Sequence, residues 1–355
     1  MVEKTSIKLI AIGLAVVPLC IGWSSNALYI SLALWIGIAL WIFTPHKPIH
    51  KQDLYYIIPL LMVVIFAAIS LTNSTNSALD LPYLAYICVG FLLFLAVRDL
   101  GIEVTKYIAL AALLVAISCI IEGVITQNSS PRGITPNANL AAGYMLIAIF
   151  FSRGYQKWFI PVIALGLLFT GYEAILMFVP ILGLIALLQY RYSIKAMFLA
   201  HRNLIYTTLG ILVIIVCIGL LTGTVESVYA TNLQTSFDGR FEQYKYAVEN
   251  IGLIGHGYDP GIPTTGMWIH NVPLLIAVEF GILAALAWIF AMGYAVIKGF
   301  YRYPILALGM LSMVGVCWKF CDLSPMFWAL LGLSASAAIL KREKLDEQRQ
   351  YSNVD

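Results

Sequence analysis

The sequence predicts an all-α, polytopic membrane protein with about twelve transmembrane helices. Of its 355 residues, 61% are hydrophobic and only 11% are charged, whereas soluble domains carry roughly 25% charged residues. Apolar stretches recur along the whole chain, and a helix needs about 20 such residues to cross the hydrocarbon core of a bilayer. The net charge is only +3, with no basic run before residue 341, which argues against a nucleic-acid-binding protein.

Twelve apolar segments are candidates for membrane spans. The first follows Lys4 and Lys8 like the core of a signal peptide, but no small-residue cleavage site follows it, so we interpret it as a membrane anchor. Residues 158 to 190 would make one helix about 50 Å long, so we divide them at a turn over 170 to 173. The predicted spans are 7 to 23, 28 to 43, 54 to 71, 81 to 97, 107 to 125, 140 to 151, 158 to 170, 174 to 189, 204 to 223, 272 to 297, 305 to 319 and 326 to 340.

The distribution of positive charge predicts the orientation of these spans. Short cytoplasmic loops of membrane proteins are enriched in Lys and Arg. With the N-terminus inside, seventeen of the 21 basic residues lie on the cytoplasmic side, and both termini are predicted to be cytoplasmic. The four on the outer side are Arg132, Arg240, Lys245 and Lys319. A basic residue on the outer side is therefore an exception that calls for a function.

The same topology predicts a single transmembrane domain, residues 1 to 340, followed by a cytoplasmic tail, 341 to 355. Its outer loops are 126 to 139 and the larger 224 to 271, which holds most of the polar residues outside the membrane. Chemistry is therefore expected on the outer face. The cysteines and histidines show no metal-ligand spacing, so no metal or cofactor site is predicted.

A short amphipathic helix is predicted within the larger loop, from about Gly239 to Asn250. Asp238 can cap it, because an Asp side chain accepts hydrogen bonds from the free N–H groups of a first turn. One face of this helix is apolar, which suits it either to the membrane surface or to packing on the bundle. The residues of that face are Phe241, Tyr244, Val248 and Ile251.

Arg240 and His270 are the residues of this loop best suited to chemistry. A guanidinium at a helix start could bind a diphosphate bidentately, although an Arg there could equally reach towards lipid headgroups. His270 stands where the tenth span begins, at the outer membrane boundary. An imidazole titrates near neutrality and could take a proton from a sugar hydroxyl; the alternative is a capping or structural histidine.

Three acidic residues lie within predicted spans, where a charge is costly and should face a cavity or a partner. Glu122 and Glu173 lie near the outer side, and either could steady an external Arg or help to hold an acceptor. Glu279 could do the same from deeper in the bundle. For each of them the alternative is a buried charge pair that fixes helix packing.

The order of these features carries a family resemblance. An external Arg precedes an Asn-rich turn, and a Gly-Arg pair, a short helix, a Gly-x-Gly turn and a His-Asn pair follow. The segments concerned are Arg132-Gly-Ile-Thr-Pro-Asn137-Ala-Asn139-Leu-Ala141, Asp238-Gly-Arg240, Gly255-His-Gly257-Tyr and His270-Asn271-Val-Pro-Leu-Leu-Ile-Ala-Val-Glu279-Phe-Gly281. The chain resembles the O-antigen ligase and O-antigen polymerase family over nearly its whole length. It departs from the family at Thr170-Gly171-Tyr172-Glu173, where members often carry Ser-Arg.

The resemblance implies an inverting, metal-independent glycosyltransferase of the bacterial inner membrane, with its active site on the periplasmic face. The donor would be a glycan on a polyprenyl diphosphate. The acceptor would be lipid A-core for a ligase and another lipid-linked repeat for a polymerase; the short chain and single large loop lean towards the ligase. The implied catalytic residues are His270, Arg240 and Arg132, and the implied substrate-binding residues are Asn137, Asn139, Asn271, Tyr244, Glu173 and Glu279.

A transporter or flippase for polyprenyl-linked glycans fits the same topology. Transport sites lie near the bilayer midplane, often on interrupted helices in repeated halves. This chain shows no similarity between its halves and concentrates its polar residues in one external loop. The loop anatomy therefore favours the enzyme.

Overall fold

The computed structural model of the chain is helical in all the regular secondary structure that it describes. The residues described are 2 to 16, 26 to 74, 77 to 101, 105 to 126, 131 to 135, 138 to 151, 158 to 170, 240 to 258, 269 to 299, 301 to 314 and 325 to 336. The predicted spans 174 to 189 and 204 to 223, the cap Asp238, and the predicted site residues Asn137 and Glu173 lie outside them.

The helices agree closely with the predicted spans over the first half of the chain. Helices α2 to α7 coincide with the second to seventh predicted spans to within four residues at each end. In chain order the helices are α1 (Val2–Val16), α2 (Asn26–Ile42), α3 (Lys51–Ser70), α4 (Ser77–Leu100), α5 (Thr105–Thr126), α6 (Ala138–Phe151), α7 (Ile160–Phe169), α8 (240–250), α9 (Val272–Glu279), α10 (Ile282–Lys298), α11 (Arg302–Val314) and α12 (Pro325–Ser336).

Three helical stretches within the described residues are long and apolar enough to cross a membrane, namely Lys51–Asn73, Leu81–Leu100 and Lys106–Thr126. Shorter apolar helices accompany them, namely Leu32–Ile42, Ala138–Phe150, Ile160–Phe169, Ile282–Lys298 and Pro325–Ser336. The all-helical architecture with membrane-length apolar helices is thereby established. The number of twelve spans and the periplasmic position of the large loop stay predictions.

Antiparallel packing gives the bundle two distinct ends. The rings of Phe150 and Tyr303 stack with centroids 6.2 Å apart, so the end of α6 meets the start of α11. Near the start of α3, Tyr55 stacks on Tyr294 of the last turns of α10 at 4.9 Å. At the other end, Asn73 after α3 donates to a carbonyl of the segment that follows α8. We call these the Arg98 end and the His270 end.

The Arg98 end is closed by a buried ionic cluster. The Arg98 side chain is only 2% exposed and donates to the carboxylates of Asp53, at the start of α3, and of Asp99. It also donates to the carbonyl oxygens of Lys47, at 3.3 Å, and Pro48, at 2.6 Å. The cluster therefore fastens the loop between α2 and α3 to the end of α4.

Basic residues of the described part separate between the two ends in the way that the charge distribution predicts. The Arg98 end carries Lys47, Lys51, Arg98, Lys298 and Arg302, and the His270 end carries Arg132, Arg240 and Lys245. If the Arg98 end is cytoplasmic, its positive charge opposes translocation of its loops across the membrane.

We expect an impermeant thiol reagent to distinguish the two faces in intact cells. In a background whose six natural cysteines are replaced, single cysteines introduced at positions 235 and 262 should react, and those at positions 48 and 196 should react only after the cells are permeabilised. Labelling of positions 48 and 196 in intact cells would reverse the predicted orientation.

The prediction of one helix over residues 272 to 297 is wrong, because the chain forms α9 and α10 there with a break at Phe280 and Gly281. Gly281 has a φ of 99°, which favours glycine. A Cβ atom at Gly281 would lie 2.3 Å from the carbonyl oxygen of Leu253. The break therefore accommodates the segment 251 to 258, which we call the docking segment.

Main-chain hydrogen bonds tie the docking segment to both sides of the break. They run from the N–H of His256 to the carbonyl of Val278 (3.0 Å), from Gly257 to Glu279 (2.9 Å), and from Ile282 to Gly252 (3.0 Å). Gly255 packs so closely that a Cβ there would lie 2.1 Å from the Glu279 carbonyl oxygen. An interrupted helix is tolerated in apolar surroundings when its freed main-chain groups find partners in this way.

Candidate functional site

His270 is held by a side chain of α8. The side-chain oxygen of Gln243 accepts from the backbone N–H of His270 at 3.0 Å and lies 2.9 Å from the imidazole Nδ1. Gln243 is only 3% exposed, while His270 is half-buried. A buried amide thus fixes both the main chain and the ring of this histidine.

Asn271 begins α9 and joins it to α11. Its Oδ1 accepts from the N–H of Leu274 at 3.1 Å, which caps the helix. Its Nδ2 donates to the carbonyl oxygen of Met313 at 3.3 Å, and the hydroxyl of Tyr244 donates to the same oxygen at 3.2 Å. The structure therefore brings together three predicted site residues, Tyr244 of α8 and the pair His270 and Asn271 at the start of α9.

The face of α8 that packs on the bundle differs from the predicted one. Its buried residues are Gln243 and Ala247, whereas Phe241 is 74% and Val248 66% exposed. Ile251, another residue of the predicted face, packs against the core, and Tyr244 binds α11. The predicted apolar face therefore packs on the bundle only in part, and contact of its exposed residues with the membrane surface stays a prediction. Arg240, partly buried, is the first described residue of α8.

Glu279 lies at the break and is closed off from solvent. It is the last residue of α9, and its side chain is fully buried. Its Oε2 accepts from the hydroxyl of Tyr83 at 3.3 Å, and the ring of Tyr83 packs against Tyr258 of the docking segment at 4.6 Å. An acceptor sugar would reach this carboxylate only after a rearrangement, so the geometry favours the packing role.

Glu122 fixes the main chain of the segment 131 to 135, between α5 and α6. Its Oε2 accepts from the N–H groups of Arg132, at 2.9 Å, and Gly133, at 2.6 Å. Gly133 has a φ of 59°, and a Cβ there would lie 2.2 Å from Oγ of Ser118. Glu122 therefore steadies Arg132 through its backbone, and the Arg132 side chain is exposed.

Arg132, in the loop before α6, and Asn139, on α6, also lie at the His270 end. Asn139 is an exposed residue in the first turn of α6. Because α6 runs antiparallel to α11, its start lies at the same end as Met313, which binds Asn271. The predicted residues that the structure describes thus share one end of the bundle, while Glu279 lies deeper.

Sequence reasoning misses Gln243 and Tyr83, the partners of His270 and Glu279. The one sequence signal for Gln243 is Ala247, a small apolar residue four positions later, since residues four apart share one face of a helix.

Among the residues described, no group of three or more His, Cys, Asp and Glu side chains is placed to hold a metal ion.

No protein-family model matches the chain, and no curated protein sequence matches it.

Proposed function

We propose that this chain is an inverting, metal-independent glycosyltransferase that moves an O-antigen glycan from a polyprenyl diphosphate carrier to lipid A-core. The observation that carries the proposal is the contact that holds His270 to the buried Gln243 of α8, the helix on which Arg240 also lies. A neutral imidazole can take the proton of an acceptor hydroxyl. A guanidinium can neutralise a diphosphate leaving group.

In the proposed reaction the acceptor oxygen attacks the anomeric carbon on the face opposite the diphosphate. The bond from that carbon to the phosphate oxygen breaks, and its electron pair leaves with the polyprenyl diphosphate. The hydroxyl proton passes to His270, while Arg240 and Arg132 stabilise the charge on the leaving group. One preorganised donor of this kind is worth about 2.7 to 4 kcal/mol in a transition state.

The glycan profile of a deletion strain tests the proposal. A ligase acts after chain growth, so its loss should leave lipid A-core bare while long glycan accumulates on the carrier. A polymerase, the alternative with the same donor, acts earlier, and its loss should leave a core capped with one repeat. Normal long glycan on the core of the deletion strain would contradict both enzymes.

The interrupted helix favours one further candidate, translocation of a polyprenyl-linked glycan. Transporters often place their sites at interrupted helices, and here the break follows the eight residues of α9, about 12 Å along the helix. Tyr83 and the docking segment pack around it. Translocation in liposomes that survives His270→Ala would support the flippase over the enzyme.

We expect Arg240→Ala to lower glycan transfer about 100-fold or more at normal membrane abundance, since removal of one charge-stabilising donor has effects of this size. Arg240→Lys should restore little, because an ammonium cannot reproduce a bidentate fork. The same pair of results is expected at Arg132.

The matched control is Lys245→Ala, on an exposed position of the same helix, which should change transfer less than about twofold, as surface substitutions usually do. Transfer would be measured in membranes that contain the cell's own lipid-linked glycan. Full activity in Arg240→Ala would reduce that residue to a lipid anchor.

A further inference from the structure

We infer that Gln243 is a positioning residue that holds His270 in the tautomer with the proton on Nδ1, so that Nε2 is the nitrogen that accepts a proton. The consequence for transfer rests on the proposed function. The tautomer itself does not, because it follows from the hydrogen bonds within the protein.

The backbone identifies which atom of the Gln243 amide faces His270. A main-chain N–H can only donate, so the atom 3.0 Å from it must be the amide oxygen and not the amide nitrogen. The same atom lies 2.9 Å from Nδ1 of the imidazole. Because an amide oxygen only accepts, Nδ1 must carry a hydrogen, and in the neutral ring the lone pair then belongs to Nε2.

The burial of Gln243 strengthens the preference for the Nδ1–H tautomer. Gln243 is 3% exposed and stands beside fully buried Ala247, so water competes poorly for its oxygen. With the other tautomer, two lone pairs would face each other at Nδ1 and the amide oxygen. The backbone N–H of His270 would still bind that oxygen, so the difference is the loss of the ring hydrogen bond and the repulsion between the two lone pairs, which implies a preference of about tenfold for the Nδ1–H form.

The same bonds also fix the direction of the ring. The main chain and the ring of His270 bind one oxygen atom, and the next residue, Asn271, caps α9 and binds α11. The ring is therefore clamped between α8 and the start of α9. Nε2, on the edge of the imidazole away from Nδ1, is directed away from Gln243, and there it would meet the acceptor hydroxyl.

Nitrogen NMR of full-length protein labelled with ¹⁵N-histidine in nanodiscs tests the tautomer directly, without substrate. The spectra would be recorded at alkaline pH, so that the neutral form of the ring is observed. The His270 signals are assigned by their loss in His270→Gln. We expect a protonated Nδ1 and an unprotonated Nε2 in the wild-type protein, and an Nε2–H tautomer there would overturn the inference.

Two substitutions at Gln243 sharpen this test. Gln243→Met, similar in volume but without the acceptor, should shift the tautomer ratio about tenfold towards Nε2–H. Gln243→Glu, which keeps an accepting oxygen, should retain the Nδ1–H form. An unchanged ratio in Gln243→Met would contradict the inference, and unchanged signals from the other histidines would establish that the variants are folded.

Transfer rates then separate this inference from the proposed function. Gln243→Met should lower transfer about tenfold, Gln243→Glu should restore it, and in a His270→Ala background Gln243→Met should add no further loss. A purely structural Gln243 would add a loss there. If the tautomer is as inferred but His270→Ala transfers normally, the proposed role of His270 fails while the positioning role stands.

Discussion

His270→Ala is expected to remove glycan transfer by about 100-fold or more, the usual effect of a positioned general base, while the protein still folds and reaches the membrane. The substitution deletes the imidazole but keeps the main-chain N–H, so the hydrogen bond to the Gln243 oxygen persists. His270 is only half-buried, and its ring therefore contributes little to the core. The measurement is the transfer rate normalised to the amount of protein in the membrane.

His256→Ala is the matched control for this experiment. His256 lies in the docking segment, but it is exposed and its Nε2 donates to the carbonyl oxygen of Asn250 at 3.0 Å. We expect its loss to change transfer less than about twofold, as for most exposed positions. Near-normal turnover in His270→Gln would exclude proton transfer by His270 and leave only hydrogen-bond positioning.

Arg98→Ala is expected to destabilise the protein by about 3 to 5 kcal/mol, because it leaves buried carboxylates without their cation. Asp53 is 2% and Asp99 6% exposed, and both bind the Arg98 guanidinium. The main-chain carbonyls of the loop between α2 and α3 would lose their donor as well. The expected result is a lower melting temperature in detergent and less protein in the membrane.

Removal of the whole charge set separates the effect of unpaired charge from the effect of lost packing. Arg98→Met combined with Asp53→Asn and Asp99→Asn leaves no uncompensated charge and should recover much of the lost stability. Arg302→Ala, at the same end but over the ring of Tyr303 at 5.2 Å, should cost about 1 kcal/mol or less. Unchanged stability in Arg98→Ala would mean that this cluster does not hold the loop.

Much of the helical architecture is predictable from the sequence, because a run of apolar residues long enough to cross the hydrocarbon core can be recognised from residue types alone. Helices such as α3 and α5 are single apolar runs bounded by polar residues, and their predicted limits agree with the structure to within a few residues. The helix over 240 to 250 is also predicted, as one from about 239 to 250, from apolar residues that recur three or four positions apart.

The break at Gly281 could not be predicted from local pattern. Residues 272 to 297 form an apolar run with Glu279 as its one charged residue, and the groups that complete the break come from the docking segment, about 25 residues earlier in the chain. Only its glycines, Gly255 and Gly257, hinted at a close approach of two backbones. Tertiary hydrogen bonds, not helix propensity, decide where α9 ends.

The candidate site was predictable by residue type but not by its supports. His270 and Asn271 are polar residues just before an apolar segment, and Tyr244 lies on an amphipathic helix; the sequence displays both patterns directly. Gln243 was not predicted, because hydrophobic spacing assigns α8 a different buried face. A buried glutamine is stable only when a distant partner such as His270 makes a hydrogen bond with it. The buried cluster of Asp53, Asp99 and Arg98 was not predicted for the same reason, because its charged partners come from different parts of the chain.

The docking segment also limits how substrates can enter. If α8 swung outwards as a lid, the N–H of Ile282 and the carbonyls of Val278 and Glu279 would lose their partners among apolar surroundings, at several kcal/mol for each group. Such an opening would be rare and slow. If the chain has the proposed function, a bulky lipid-linked donor would therefore enter sideways from the bilayer, between helices, and α8 would act as a fixed wall of the entrance.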